Sequence, residues 1–292
     1  MRIARTAAAT DPGRRRRRNE DSYIARPPLF AVADGMGGAQ AGEVASRTAV
    51  DAMGGEENLV GLIEEANRQV YARSNEDANA SGMGTTMTAA LVGEDGVVTI
   101  GHVGDSRAYL LRAGTLKQLT DDHSLVADLV RTGELTAEEA ETHPQRSVIT
   151  RALGTDPSVD VDSHSVQAEP GDLFLICSDG LTSMVDDDEI LETVEASRDD
   201  LEAAAGALVR RANREGGEDN ITVVFFELAG DDEPGDDEDT LTELDAIPVI
   251  AEAPPARTAQ DDLDATARRV LAILAVFALF AVGVALLILG LR

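Results

Sequence analysis

Acidic residues stand at the ends of apolar runs in this sequence. LFAVA (29–33) is followed by Asp34-Gly35, DLFLICS (172–178) by Asp179-Gly180 and VTIGHVG (98–104) by Asp105, while Asp219-Asn220 precedes ITVVFFEL (221–228) and Glu20-Asp21 precedes a short run at Tyr23. A carboxylate on the lip of a buried strand loses hydration and needs a compensating partner. In an antiparallel sheet the end of one strand lies beside the start of its neighbour, so these six acids could share one rim. Clustered carboxylates cannot all stay ionised without cations, and an all-oxygen cluster suits hard divalent ions, Mg2+ or Mn2+. Zinc is disfavoured, because there are only four His and one Cys and no His stands at a ligand spacing from that Cys. Gly35, Gly37 and Gly38 permit a sharp turn that would bring a backbone carbonyl to the metal. One Asp-Gly after a strand is ordinarily a turn; four such coincidences, each joined to a strongly apolar run, point to a site.

Other chemistries fit less well. Cys177 is followed six places on by Ser183 rather than Arg, which excludes a cysteine-dependent phosphatase, and its apolar surroundings read as a buried, inert thiol. Asp160-Val161-Asp162 continues with Ser163-His164, which does not match the pattern of an aspartyl-phosphate enzyme. His102 lies in an apolar run and reads as a core histidine; His123 and His143 read as hydrogen-bonded loop residues, and His164 has no motif around it. The run Arg14 to Arg18 is the main basic feature, and in extended chain Arg14, Arg16 and Arg18 would share a face.

Short apolar runs with turn residues between them predict strands at 23–25, 29–33, 85–92, 96–103, 107–116, 172–177 and 220–228, with hairpin turns at Glu94 to Gly96 and at Ala113-Gly114. Helical spacing predicts helices near 39–54, 57–79, 124–132, 136–141, 186–196 and 199–215. Strands grouped apart from helices, without regular alternation, favour an α+β fold of antiparallel sheets flanked by helices.

Composition bounds the rest. A chain of 292 residues can bury a sizeable core, and a single cysteine rules out an internal disulfide. The formal charge of −29 argues against sequence-blind nucleic-acid binding. Lys117 is the only lysine. Residues 1–228 read as the domain that carries the chemistry. Residues 229–269 are rich in acid, proline and small side chains and read as a disordered linker. Residues 270–291 carry no charge and are long enough for one transmembrane helix. Arg268-Arg269 before that segment, and the lack of a secretory leader, place residues 1–228 on the cytoplasmic side of a cell membrane.

GRRRRRNEDSY, FAVADGMGG, GMGTTMTAAL, GHVGDSRAYLLR, LTDDHSLVADLV, HPQRSVITRALG, PGDLFLICSDGL and GGEDNITVV occur in this order across residues 13–224. Together they resemble the metal-dependent protein phosphatase 2C family, most closely its bacterial serine/threonine phosphatases. The resemblance implies a sandwich of two antiparallel β-sheets with helices on both outer faces. It implies Asp34 as the bridging ligand of two Mn2+ or Mg2+ ions, the carbonyl of Gly35 beside it, and Asp179 and Asp219 on the first ion. Glu20 serves the second ion with Asp21 as its supporting neighbour, Asn220 braces Asp219, and Asp105 with Asp179 holds a weaker third ion. Arg16 resembles the arginine that grips substrate phosphate, and the segment from Asp122 to Arg151 resembles the family's mobile flap. Met36 stands where many eukaryotic relatives have a histidine acid. The implied reaction is hydrolysis of phosphoserine and phosphothreonine in phosphorylated proteins by a metal-activated water, in opposition to Ser/Thr kinases. A non-catalytic phosphoprotein-binding scaffold of the same fold, and a partner-switching phosphatase of an anti-sigma pathway, are the alternatives.

Overall fold

The apolar runs pair into two antiparallel sheets in the computed structural model, which describes residues 1–37, 41–55, 58–77 and 80–230. One sheet has the order β1 (Arg2–Asp11), β11 (Ile221–Ala229), β10 (Leu173–Cys177), β7 (Arg107–Arg112) and β8 (Thr115–Gln118). The other has the order β2 (Asp21–Arg26), β3 (Leu29–Met36), β5 (Met87–Val92), β6 (Val97–Val103) and β9 (Asp162–Gln167), with β4 (Gly84–Thr85) paired to β3. Every residue of β10 and β11 is buried. These strands read as unbroken apolar runs because one face meets the opposite sheet and the other meets helices. Between the sheets Phe226 stacks on Phe30 and Phe174, with ring centroids 4.3 and 4.8 Å apart, and Val32, Ile100, Leu110 and Ile176 fill the layer around them.

Helices cover both outer faces. On the second sheet lie α1 (Ala41–Asp51) and α2 (Leu59–Glu76); Ala41, Ala45 and Ala49 form a stripe of small residues that lets α1 approach closely, and Leu59, Ile63, Ala66 and Val70 form the apolar face of α2. On the first sheet lie α5 (Asp179–Thr182), α6 (Asp187–Glu195) and α7 (Leu201–Arg214), packed through Leu181, Ile190, Val194, Leu201 and Leu208. The intervening segment carries α3 (Leu125–Thr132) and α4 (Ala137–Glu141), and α3 buries none of its residues. Its ends are defined locally: Ser124 accepts from the Ala127 N–H, and Gly133 ends the helix in the left-handed region at φ 78°. Thr136 and Glu139 close a capping box on α4.

The two-sheet sandwich, the six expected helices and the hairpin turns agree with the sequence reading; the one-turn helix α5 is additional, and three further features differ. Strands β1 and β9 are not foreseen, because RIARTAAATD and DSHSVQ lack an apolar run; β1 is drawn out by pairing with β11 and β9 by pairing with β6. Strand β3 does not end before Asp34 but continues through Gly35 and Met36, which pair with β4. The rim on which the acids gather belongs to both sheets rather than one. No helix among the described residues is long and apolar enough to cross a membrane, and the expected linker beyond Gly230 and the expected span at 270–291 lie outside the described residues.

Among the minor candidates, the Cys177 thiol is buried and pushed up to about 12 by desolvation, as expected of an inert core residue. His102 is also a core residue: Nε2–H donates to the Asp121 carbonyl at 3.1 Å, and Nδ1 lies 2.8 Å from the Thr88 hydroxyl, which also reaches the Ser106 carbonyl at 2.8 Å. Burial, aided by the tilted His123 ring whose centroid is 4.7 Å away, lowers the pKa of His102 from 6.5 to about 4. A base depressed in the fold contributes stability that is present above its unfolded pKa and lost as pH falls through the folded one. His102→Asn is therefore expected to flatten the acid side of the stability profile between pH 6.5 and about 4 by at most about 3 kcal/mol. Chemical denaturation of both proteins across this range checks it, and parallel profiles would count against a neutral buried ring.

Candidate metal centre

Register brings the first two acids together. Asp21 opens β2 directly opposite Asp34 near the end of β3, so their side chains leave the same edge of the second sheet. The backbone of Asp34 is held on both sides: its N–H donates to Thr86 Oγ1 at 2.9 Å, and its carbonyl accepts from Thr86 N at 2.9 Å and Thr85 Oγ1 at 2.8 Å. From the first sheet, Asp179 follows β10 through Ser178, and Asp219 precedes β11 through Asn220. These two loops cross without clearance, since a Cβ on Gly180 would lie 2.0 Å from the Asn220 carbonyl oxygen. Asp105 sits in the turn before β7, where Gly104, at φ +114°, passes Thr86 so closely that a Cβ would lie 2.6 Å from its side chain. The bond between the Thr86 and Ser106 hydroxyls, 2.8 Å, ties this turn to the Asp34 strand.

The sheets are stitched by Asp21 itself. Its Oδ2 accepts from Ser178 Oγ at 2.8 Å and from Thr222 Oγ1 at 2.6 Å, both on the opposite sheet. Nearby, the Glu20 N–H donates to Asn220 Oδ1 at 2.7 Å. Glu20 and Gly35 meet at α1: a Cβ on Gly42 would fall 2.6 Å from the Gly35 carbonyl oxygen and 3.0 Å from the Glu20 carboxyl carbon. A carbonyl and a carboxylate thus border one small space that only glycine leaves open.

The electrostatics are those of anions packed together. Burial, then the charges of Asp21, Asp179, Asp105 and Asp219, raises the pKa of Asp34 well above the carboxylate range. Burial, then Asp179, pushes Asp105 up to about 8; burial is also the main cause of the rise to about 7 at Asp21 and of the rises at Asp179 and Glu20. Asp21 Oδ1, Asp105 Oδ1 and Asp179 Oδ1 are buried without a hydrogen-bond partner. Carboxylate oxygens in that condition carry a large desolvation cost unless a cation or proton meets them. Among the described residues no group of three or more His, Cys, Asp or Glu side chains stands in a geometry that could hold an ion as it is. The fit to divalent ions rests on the donor chemistry, all oxygen and mostly carboxylate, on the three orphaned oxygens and on the space beside Gly42.

The remaining expectations divide. Arg16 reaches the cluster, with Nη2 donating to Asp219 Oδ2 at 2.6 Å. The Arg14–Arg18 run is not extended. Residues 13–15 form a turn in which the N–H groups of Arg14 and Arg15 both donate to the Gly217 carbonyl, so the arginines do not alternate faces and Arg18 pairs with Glu43 instead, at 3.6 Å. The Asn220 side chain does not brace Asp219. It donates to the carbonyls of Pro12 and Arg18 and so fastens the loop that carries Arg16 and Glu20, while its backbone N–H meets Asp219 Oδ1. His123 is a loop staple, accepting from Gly104 N and facing Asp162, and His143 takes the N–H of Gln145 in a turn. Ser178, Thr222, Thr86 and Ser106 are absent from the sequence reading; for Ser178, Ser106 and Thr222 the available signal was a hydroxyl within three residues of an acid at the end of an apolar run, whereas Thr86 has no acid near it in sequence.

A raised acid pKa means that the fold binds protons more tightly than the unfolded chain, so stability is present at low pH and lost as pH rises through the folded values. The metal-free protein is expected to lose thermal stability as pH rises from about 4 towards about 8, the value reached by Asp105. Mn2+ should restore the melting temperature most at the alkaline end. Asp34→Asn removes one repelling charge, so it should raise the melting temperature of the metal-free protein and shrink the gain on adding Mn2+; scanning calorimetry with and without chelator measures both, and an unchanged gain would remove Asp34 from the ligand set.

A model of the protein phosphatase 2C family matches residues 17–211. The serine/threonine phosphatase stp of Listeria welshimeri is 43% identical over 237 residues, covering 75% of this chain and 93% of that protein. The crystal structure of the serine/threonine phosphatase PstP/Ppp of Mycobacterium tuberculosis is similar with a TM-score of 0.73 at 41% identity, covering 78% of this chain and 100% of that one. The structure of the catalytic domain of PstP in complex with two manganese ions is similar with a TM-score of 0.71 at 38% identity, covering 78% of this chain and 99% of that one.

Proposed function

The chain belongs to the protein phosphatase 2C family, and from that premise we propose that it hydrolyses phosphoserine and phosphothreonine in proteins at a two-metal centre on the rim of the sandwich. The observation that carries this reading is the meeting of Asp34 and Asp21 from one sheet with Asp179, Asp219 and Asp105 from the other, with orphaned carboxylate oxygens among them. Asp34, Asp179, Asp219, Glu20 and the Gly35 carbonyl would hold two Mn2+ or Mg2+ ions, and Asp105 with Asp179 a weaker third. Such ions, when bound, supply a water acidified towards hydroxide and positive charge for the phosphoryl oxygens.

The chain's own residues do the rest. The Arg16 guanidinium is half exposed; with one N–H committed to Asp219, its remaining donors form a planar fork that suits two phosphate oxygens. Burial opposes its charge, but the bond to Asp219 and the charges of Asp219, Glu20 and Asp34 hold its pKa above the ordinary value. Asn220 sets the height of this arginine by fastening the loop at Pro12 and Arg18. Asp21 holds the two halves of the site in register through Ser178 and Thr222. Met36 has no proton to donate to the departing alkoxide.

The reading extends to place and partners. The uncharged segment 270–291, preceded by Arg268-Arg269, supports a single membrane span, with residues 1–228 on the cytoplasmic side and residues 229–269 as a tether. Tethering raises the local concentration of the enzyme towards Ser/Thr kinases and their substrates at the same membrane. The full chain is expected to release phosphate from a phosphothreonine peptide with Mn2+ and to stop on chelation. Asp34→Asn is expected to reduce kcat by roughly two orders of magnitude or more. A folded, Mn2+-loaded protein without turnover would favour the scaffold reading. Membrane fractionation of cells expressing the chain with and without residues 270–291 checks the tether, which fails if both forms distribute alike.

A further inference from the structure

Glu218 immediately precedes Asp219, and its carboxylate lies between two guanidiniums from distant parts of the chain. Arg15 Nη2 is 3.9 Å from Glu218 Oε1, and Arg146 Nη2 is 4.0 Å from Glu218 Oε2. Neither distance is that of a hydrogen bond; both are loose ion pairs across gaps that water can enter. The side chains stay open to solvent, at 71% for Arg15, 53% for Arg146 and 51% for Glu218. Contacts of this kind contribute little to stability, so they exchange readily for a better anion.

The two arginines are nonetheless well placed. Arg15 is carried by the turn whose N–H groups grip the Gly217 carbonyl, one residue from Glu218. Arg146 is fixed at its N–H by the His143 carbonyl at 3.1 Å, in the segment between α4 and β9. Arg16, the neighbour of Arg15, is on Asp219 at 2.6 Å. In a chain of net charge −29, Arg15 and Arg146 therefore flank Glu218, the residue next to the acid that Arg16 meets.

We propose that Arg15 and Arg146 form a second anion subsite beside Arg16, closed in the free protein by Glu218. It takes a carboxylate or a second phosphate on a residue flanking the one to be dephosphorylated. The proposal rests on the phosphatase reading above and names its substrate class: phosphopeptides with acidic or further phosphorylated residues next to the target. An anion on the same peptide as a bound phosphoresidue arrives at high effective concentration and displaces Glu218, and either guanidinium can then bond it with two N–H donors.

Three phosphothreonine peptides that differ only in a flanking alanine, glutamate or second phosphothreonine test this, with the full chain in detergent and Mn2+. The flanking glutamate and phosphothreonine are each expected to raise kcat/KM, chiefly through KM, by about tenfold at low ionic strength. The preference should shrink near about 0.5 M salt. The double variant Arg15→Gln, Arg146→Gln should reduce it to less than about twofold, whereas Glu218→Gln, which removes the resident anion, should increase it. Opposite effects from the two sides of one contact are not expected of a merely structural role. If glutamate and phosphate differ in effect, the two peptides show which anion the subsite favours. An equal rate on all three peptides, a preference that survives the double variant, or a weaker preference in Glu218→Gln would overturn the proposal. Fluorescence anisotropy of the same labelled peptides ranks their binding without turnover, so discrimination without hydrolysis would count against the phosphatase reading alone.

Discussion

Two hydroxyl bonds to one carboxylate hold this site in one piece. Asp21, at the start of a strand in one sheet, accepts from Ser178, beside Asp179, and from Thr222, three residues after Asp219, and so joins those two acids to the strand pair that carries Asp34. Sheets in a sandwich pack through side chains and can slide or splay at their ends, where the apolar layer thins. A buried anion bonded across the gap resists this, because separating the sheets would leave a carboxylate desolvated and unpaired. The same bonds lower the pKa of Asp21 against the burial that raises it. One of its oxygens is thus committed to structure and the other is left orphaned within the cluster.

Close backbone approach is the second constraint. Gly35 against Gly42, Gly180 against Asn220 and Gly13 against Asp219 are contacts at which a Cβ would lie within 2.6 Å of a backbone oxygen. Such crossings let acids from five chain segments reach one rim, with hydroxyls and amides taking up the polar groups between them. The arrangement is costly without counter-charge: the acids raise one another's pKa, and Arg16 is the cation that reaches in to Asp219. A fold that gathers like charges in this way is organised for a ligand of opposite sign rather than for stability alone.

Around that centre the chain reverses its overall character. Acidic residues outnumber basic ones by 54 to 25, yet Arg16, in a loop fastened by Asn220, meets Asp219, while Arg15 and, from the segment between α4 and β9, Arg146 lie within 4.0 Å of the neighbouring Glu218. Local charge here is set by which loops converge, and that is a property of the tertiary fold.

Local sequence was enough for the strands built on unbroken apolar runs, the helices near 124–132 and 136–141, the inert Cys177 and the kinds of atom the centre offers. Each of these depends on side-chain chemistry and neighbours within a few residues. The order of its motifs, by resemblance, also named the acids that meet. Tertiary structure alone decided that β1 and β9 exist, since their polar sequences become strands only beside β11 and β6. It decided that the rim joins two sheets, that the side chain of Asn220 holds a loop while only its backbone N–H meets Asp219, and that the arginine run turns where extended chain would have alternated. Those outcomes depend on contacts between residues separated by up to about two hundred positions, such as Asp21 with Thr222 and Asn220 with Arg18. No local preference encodes such pairings; they form when the surrounding core has set the distance between the segments.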